Sequence, residues 1–319
     1  MSDNKTAPTA VEHPIYFEFI KNRWYLYAIS IFILIGTPIM LATRGLNWGM
    51  DFRGGTEFLV RFDTAVEEDF IRTSLEKPEF KELGETQVFK VTNASGEPNY
   101  SIRTRMQPDE IKGMPEKIAR LLSDAGAKRT CKLLSVNSVG PVVGDSLRKN
   151  TLKAIFWSAV VIMIYMSIQF EFRPGLLATI ALVHDSLTVV LLFSLTQYEV
   201  DLTAVAALLT VLGYSMNDSI VILDRVRENV RLKRKMPFDE LVNLSINQCL
   251  GRTIYVGLTV ILTLLTLLFM GPAVLRSFSL AMVVGVVSGM MSTLSIVCPV
   301  LVDWTLWEKG QREVETKKS

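Results

Sequence analysis

Cysteine is scarce in this 319-residue chain: Cys131, Cys249 and Cys298 lie far apart, without the spacing of a disulfide framework or a metal-ligand set, which leaves them as packing residues. Excess charge is lacking too. The net charge of +2 is too small to point to a nucleic-acid partner. No internal repeat is present, and the only biased stretches are the short polar ends, Ser2–Ala10 and Gln311–Ser319, which are expected to be disordered. A signal-peptide cleavage pattern is also missing. The first apolar run follows Lys21 and Arg23, extends for about 20 residues and closes on Met40-Leu41-Ala42-Thr43-Arg44, so it reads as an anchor.

Apolar residues are plentiful: 49% of the chain is hydrophobic and the mean hydropathy is +0.31, the composition of a membrane protein. Windows long enough to cross a bilayer fall at Trp24–Thr43, Leu152–Phe170, Leu176–Leu195, Leu202–Leu223, Thr253–Met270 and Phe278–Trp304, which makes six spans. Arg225, Arg227, Arg231, Lys233, Arg234 and Lys235 crowd the connection from Asp224 to Gly251, and Lys309, Arg312, Lys317 and Lys318 the tail. Thr196–Asp201 has no basic residue. This bias puts both termini in the cytoplasm. The expected division is a cytoplasmic N-terminus over 1–23, helix one over 24–43, one extramembrane domain over 44–150, helices two to six over 151–304, and a cytoplasmic tail over 305–319. Ile15–Tyr25, aromatic residues among Glu18, Lys21 and Arg23, fits an interfacial helix or a simple aromatic belt.

Inside the extramembrane domain, Phe58, Val60 and Phe62 alternate along a strand at Thr56–Phe62, and Val66–Leu75 has a helical pattern. Phe89 and Val91, then Tyr100, Ile102 and Thr104, mark a hairpin around the turn Asn93-Ala94-Ser95-Gly96. Pro108-Asp109-Glu110 opens a second helix with Ile111, Met114, Ile118 and Leu122 on one face and Gly126 at its end. A last strand covers Thr130–Val139. The order β-α-β-β-α-β predicts a ferredoxin-like α+β domain between helices one and two.

The ionisable residues that stand out in the spans are few: His184 and Asp185 on the third, Asp218 beside Asn217 on the fourth, and Arg252 where the fifth begins. A central Asp or Arg costs about 2.5–3.5 kcal/mol on insertion scales, so each should face protein or water. Arg252, at the adjoining end of the next helix, can reach toward Asp218; burial disfavours the carboxylate charge and a guanidinium favours it, an opposition that lets an acid load and release a proton. Ser215 lies one turn from Asp218, and Thr259, Thr263 and Thr266 share a face with Arg252, stations for a water file. The alternative is that these groups only join helices through buried polar contacts. His184 reads either as a satisfied interior histidine or as a proton carrier. Gly285-Val-Val-Ser-Gly289, extended by Ser292 and Ser295, is a small-residue face for close helix packing. Gly54 and Gly55 suit a turn, and Gly140 and Gly144 a connector into the second span; together these glycines are candidate hinges.

"GMDFRGGTEF", "VGPVVGDSL", "ALVHDS", "GYSMNDSIVILDRVREN" and "LSINQCLGRT" together resemble the signatures of the SecF family, membrane subunits of the SecD–SecF accessory complex of bacterial protein export, over nearly the whole chain. The resemblance implies a half-transporter of the RND type in the inner membrane, with a periplasmic main domain. It implies SecD as partner, the SecYEG channel, SecA, YajC, YidC and the translocating preprotein as neighbours, and no cofactor beyond the transmembrane proton gradient. It assigns the proton pathway to Asp218 and Arg252, with Asp185 beside them. The family often shows a Thr-Ser pair and a later double Thr after the Arg-Thr step; Val256, Gly257, Thr259 and Val260 thin that polar file here. Two rival readings are an RND-type exporter half for small molecules or lipids, and an intramembrane protease with Asp185 and Asp218 as a dyad.

Overall fold

The computed structural model describes residues 16–63, 66–84, 86–92, 98–107, 113–125 and 130–318. In chain order the elements are α1 (Arg23–Thr43), the short α2 (Met50–Arg53), β1 (Gly55–Phe62), α3 (Glu68–Leu75), β2 (Thr86–Thr92), β3 (Pro98–Thr104), α4 (Met114–Ala125), β4 (Cys131–Val139), α5 (Pro141–Gln169), α6 (Phe172–Thr196), α7 (Leu202–Leu232), α8 (Phe238–Met270), α9 (Arg276–Ser292) and α10 (Cys298–Lys318), the last two joined by a π-helical turn at Thr293–Val297.

The four strands form one antiparallel sheet in the order β2-β3-β1-β4, with α3 and α4 supplying the two crossovers of a ferredoxin-like domain. Alternation along β1 turns Phe58, Val60 and Phe62 inward, where they meet Tyr100 and Ile102 of β3, Ile71 of α3 and Ile118 and Leu122 of α4. Each such side chain contributes about 1.5–3 kcal/mol when fully buried. The expected turn at Asn93–Gly96, the helix start at Pro108–Ile111, its end at Gly126 and the polar stretch Ser2–Ala10 lie outside the described residues.

Among the described residues, six helical runs are long and apolar enough to cross a membrane: α1, α5, α6, α7, α8 and the continuous run from α9 into α10. The architecture is therefore an α-helical membrane protein with one α+β domain between its first and second spans. Several helices outrun their apolar windows. α5 begins at Pro141, a residue pre-set for a first helical turn, and its polar start carries a Lys149–Asp145 pair at 3.0 Å. α8 begins at Phe238, with Asp239 and Glu240 at its positive end. The basic connection is thus mostly helix, with its turn confined to 233–237.

Two local expectations fail. Residues 16–22 are not an interfacial helix: Phe17 N–H donates to Asn247 Oδ1 (2.9 Å) and Ile20 N–H to Asn243 Oδ1 (3.2 Å), so buried asparagines of α8 hold this segment as an irregular strap. The C-terminal tail is not irregular through residue 318, because α10 continues to Lys318.

Candidate functional site

α6, α7 and α9 pack along a common seam, and Asp185 sits in it with no exposure. Ser215 Oγ of α7 donates to Asp185 Oδ2 at 2.5 Å, Ser292 Oγ of α9 to the same oxygen at 2.8 Å, and Ser288 Oγ to Oδ1 at 2.6 Å. His184 Nδ1 stands 3.3 Å from Oδ1. Interhelical hydrogen bonds in bilayers are worth about 0.6 kcal/mol on average and up to about 1.7. Three of them give about 2–5 kcal/mol, enough to offset the cost of a central carboxylate.

Glycine makes this approach possible. A Cβ at Gly289 would lie 2.8 Å from Ser215 Cβ, and one at Gly285 would overlap the Val211 side chain. The small-residue face of α9 therefore closes on α7 over the serine that bonds Asp185. The π-helical turn follows at once: Thr293 pairs with Ser219 of α7 (2.9 Å) and Ser295 with Ser30 of α1 (3.1 Å).

Asp218 lies one turn beyond Ser215 and is 4% exposed, and its Oδ2 is buried without a hydrogen-bond partner among the described residues. Tyr214 Oη, one turn back on α7, is likewise unpartnered. The charges whose fields reach Asp218 are those of Arg252 and Asp185. No ion pair closes between Asp218 and Arg252, because Arg252 lies on the exposed side of α8. Nor do the two carboxylates share a hydrogen bond as a dyad would; Ser215 contacts Asp185 in the space between the helices.

The remaining sequence candidates are not drawn together. Asn217 is exposed, since one residue along a helix turns a side chain by about 100° away from its neighbour's direction. Thr259 is exposed as well, and its hydroxyl donates to Val256 O of its own helix (2.8 Å); Thr263 and Thr266 do the same to Thr259 O and Leu262 O. Thr259, Thr263 and Thr266 thus face outward from this chain and not into its bundle interior. Ser288 and Thr188 were not foreseen as partners around Asp185, although Ser288/Ser292 and Ser215/Ser219 are matched i, i+4 pairs on facing helices and carried that signal.

The sheet domain is tied to the start of α7. Gly49 N–H donates to Val200 O (2.9 Å), Val200 N–H to Asn47 O (2.8 Å), and Leu202 N–H to Asp51 Oδ2 (3.0 Å). Gly54 and Gly55 have φ of +78° and +142°, and a Cβ on Gly55 would meet Thr104 O at 2.5 Å, so this glycine pair turns the chain from α2 into β1. Gly140 is open, with nothing near its would-be Cβ, and caps α5. Gly144, expected in a flexible connector, is a helical residue of α5 pressed against Phe52 O, 2.9 Å from its would-be Cβ.

A polar junction completes the link. Arg103 of β3 bridges Glu57 of β1 (3.1 Å) and Glu199 of the α6–α7 connection (2.8 Å), and Ser101 Oγ donates to Glu57 at 2.5 Å. Burial pushes the Glu57 carboxyl up, but the Ser101 hydrogen bond and the Arg103 charge outweigh it and hold the group below its ordinary value. Burial likewise works against the Arg103 charge, and the two glutamates outweigh it, raising the guanidinium above its ordinary value.

Two family models match this chain: "Protein export membrane protein SecD/SecF, C-terminal" over residues 119–307 and "SecD/SecF GG Motif" over residues 39–66, the latter containing the Gly54–Gly55 turn. The protein translocase subunit SecF of Rhodobacter capsulatus is 36% identical over 292 residues, covering 88% of this chain and 86% of the relative. SecDF of Thermus thermophilus is 35% identical over 92% of this chain, which spans 39% of that longer protein. The crystal structure of SecDF from Thermus, described as a translocon-associated membrane protein, superposes with a TM-score of 0.75 at 32% identity, covering 91% of this chain and 39% of that one. With the C-terminal model spanning α5 to α9 and the first part of α10, Asp185 and Asp218 included, and a SecF relative 36% identical over most of both chains, the chain belongs to the SecD/SecF family of protein-export membrane proteins.

Proposed function

We propose that this chain is a SecF-type subunit of the Sec protein translocase that uses the proton-motive force to assist late stages of preprotein movement across the bacterial inner membrane. The observation that carries the reading is the continuity of α7: the helix that holds the buried, unpartnered Asp218 begins at the backbone clamp that grips the segment leading into the sheet domain. A change of charge at Asp218 alters what α7 must pack against, and α7 is bonded to the domain that moves. Coupling requires two packings that bind the proton with different affinity.

In this reading the sheet domain is periplasmic and both termini are cytoplasmic. SecD supplies the second half of the pathway, covering the outward-facing Asn217, Arg252 and Thr259, which a lone subunit would leave against lipid at a cost. SecYEG, with SecA, YajC and YidC, forms the surrounding apparatus, and no cofactor is required.

The test is co-reconstitution with the SecD-type partner and a SecYEG channel under an imposed pH gradient. The gradient should accelerate export in the wild type and have no effect in Asp218→Asn or Arg252→Met. Equal stimulation of all three proteins would refute the reading.

A further inference from the structure

Hydropathy falls off in four spans at one end of the bundle: after Phe170 in α5, before Leu176 in α6, after Leu223 in α7 and after Trp304 in α10. A recess of about 400 Å³ lies at that boundary. Phe170, Leu223, Val226 and Leu301 line it and are buried, so its floor is apolar protein interior. The volume is that of a ligand pocket, about 300–1,000 Å³.

Three arginines line the recess, and they differ in what holds them. Arg173 is already engaged: its Nη2 donates to Glu308 Oε1 (2.9 Å), its guanidinium lies over the Trp304 ring at 5.6 Å, and Glu171, the acid that lines the recess, adds its field to the same cation. Arg227 and Arg231 are exposed, and neither meets a carboxylate among the described residues. They sit one turn apart, about 6 Å along α7, a like-charge spacing that is unfavourable without an anion to share. Arg225, on the same helix, shows the alternative: Glu228 (2.6 Å) and Gln248 (2.6 Å) satisfy it, and it does not line the recess.

We propose that this recess binds an anionic phospholipid, its phosphate held by Arg227 and Arg231 and the upper part of an acyl chain against Phe170, Leu223, Val226 and Leu301. The guanidinium fork matches phosphate oxygens, and basic pockets between spans suit charged headgroups. Free phosphate would use the arginines and leave the floor bare. A zwitterionic lipid would fill the floor but brings an ammonium that offsets its own phosphate. The site requires no proton transfer at Asp218 and stands independently of the proposed function.

Diazirine-bearing phosphatidylglycerol and phosphatidylcholine with identical acyl chains, each at trace level in phosphatidylcholine nanodiscs holding the full chain, separate the cases. An arginine near an anionic headgroup is worth about fivefold in affinity. Phosphatidylglycerol should label residues 220–226 and 298–305 about five- to twenty-five-fold more than phosphatidylcholine, the value for one or two arginines. Arg227→Gln combined with Arg231→Gln should bring the two probes level, whereas Arg225→Gln should leave the preference in place. Inorganic phosphate should displace no more probe than sodium chloride of equal ionic strength. Equal labelling by the two probes, a preference that survives the double substitution or vanishes with Arg225→Gln, or specific displacement by inorganic phosphate would each overturn the proposal. The comparison of probes uses the unaltered chain, so it decides whatever the folding of the variants.

Discussion

Asp185 and Asp218 stand on neighbouring helices of one bundle, both buried, and their surroundings are opposites. Asp185 is held by serines from two other helices and fastens the α6–α7–α9 seam; Asp218 presents an oxygen with no donor, in the fields of Arg252 and Asp185. A carboxylate whose valences are filled resists change, because any new partner must displace an existing one. One with an open valence can change partner at small cost. The contrast sets a carboxylate with its valences filled beside one with a valence open, within a helical turn or so of membrane.

The largest expected effect would break that contrast outright. Asp218→Asn should abolish gradient-driven stimulation of export at wild-type levels of inserted protein, whereas Asp185→Asn, which keeps hydrogen-bonding capacity at the seam, should retain part of it; identical loss in both, measured in the same proteoliposomes, would erase the division of roles. Next in size is stability. Asp185→Leu should lower the unfolding free energy in mixed micelles by up to about 2–5 kcal/mol, three interhelical hydrogen bonds at bilayer values, while Asp218→Leu should change it by less than about 1 kcal/mol.

A smaller effect sharpens the geometry of the fastened side. Gly289→Val should cost about 1–3 kcal/mol by forcing α9 away from Ser215, against little for Gly213→Val, whose would-be Cβ meets nothing within 4 Å. A shared denaturation series on both variants checks the difference. The smallest concerns the junction outside the membrane. Since Glu57 is held below its ordinary value of 4.5, its contribution is fully present above that pH and is lost as pH falls through the lowered folded value. Protease protection of the sheet domain should weaken in that acid range. Glu57→Gln should flatten the response, a change on the order of 1 kcal/mol or less for a partly exposed pair.

Much of the fold was legible because burial leaves periodic marks. Phe58, Val60 and Phe62 alternate as a strand must, and Met114, Ile118 and Leu122 follow a helical stripe that the described part of α4 buries. Helix ends were less legible. Hydropathy reports where lipid lies, and α5 and α8 persist outside it because packing and capping keep polar turns helical. At the site, Asp185 and Asp218 stood out because a carboxylate in a span is expensive. Their partners did not, since serine is unremarkable in an apolar helix and only the phase of α9 shows which face it takes. The direction of the threonine face of α8 was hidden in the same way: its spacing is helical, and it turns outward from this chain.

That phase depends on the π-helical turn. Within four residues, Ser292 reaches α6, Thr293 reaches α7 and Ser295 reaches α1, a fan of directions that uninterrupted α-helical winding across Thr293–Val297 would not preserve. Winding all five residues of Thr293–Val297 as ordinary α-helix, at about 100° per residue, would turn everything beyond them out of its present phase, carrying Asp303 away from Arg23 and Tyr27. The sixth span thus stores one residue of slack, and wherever that slack sits decides which neighbours the far half of the helix can greet.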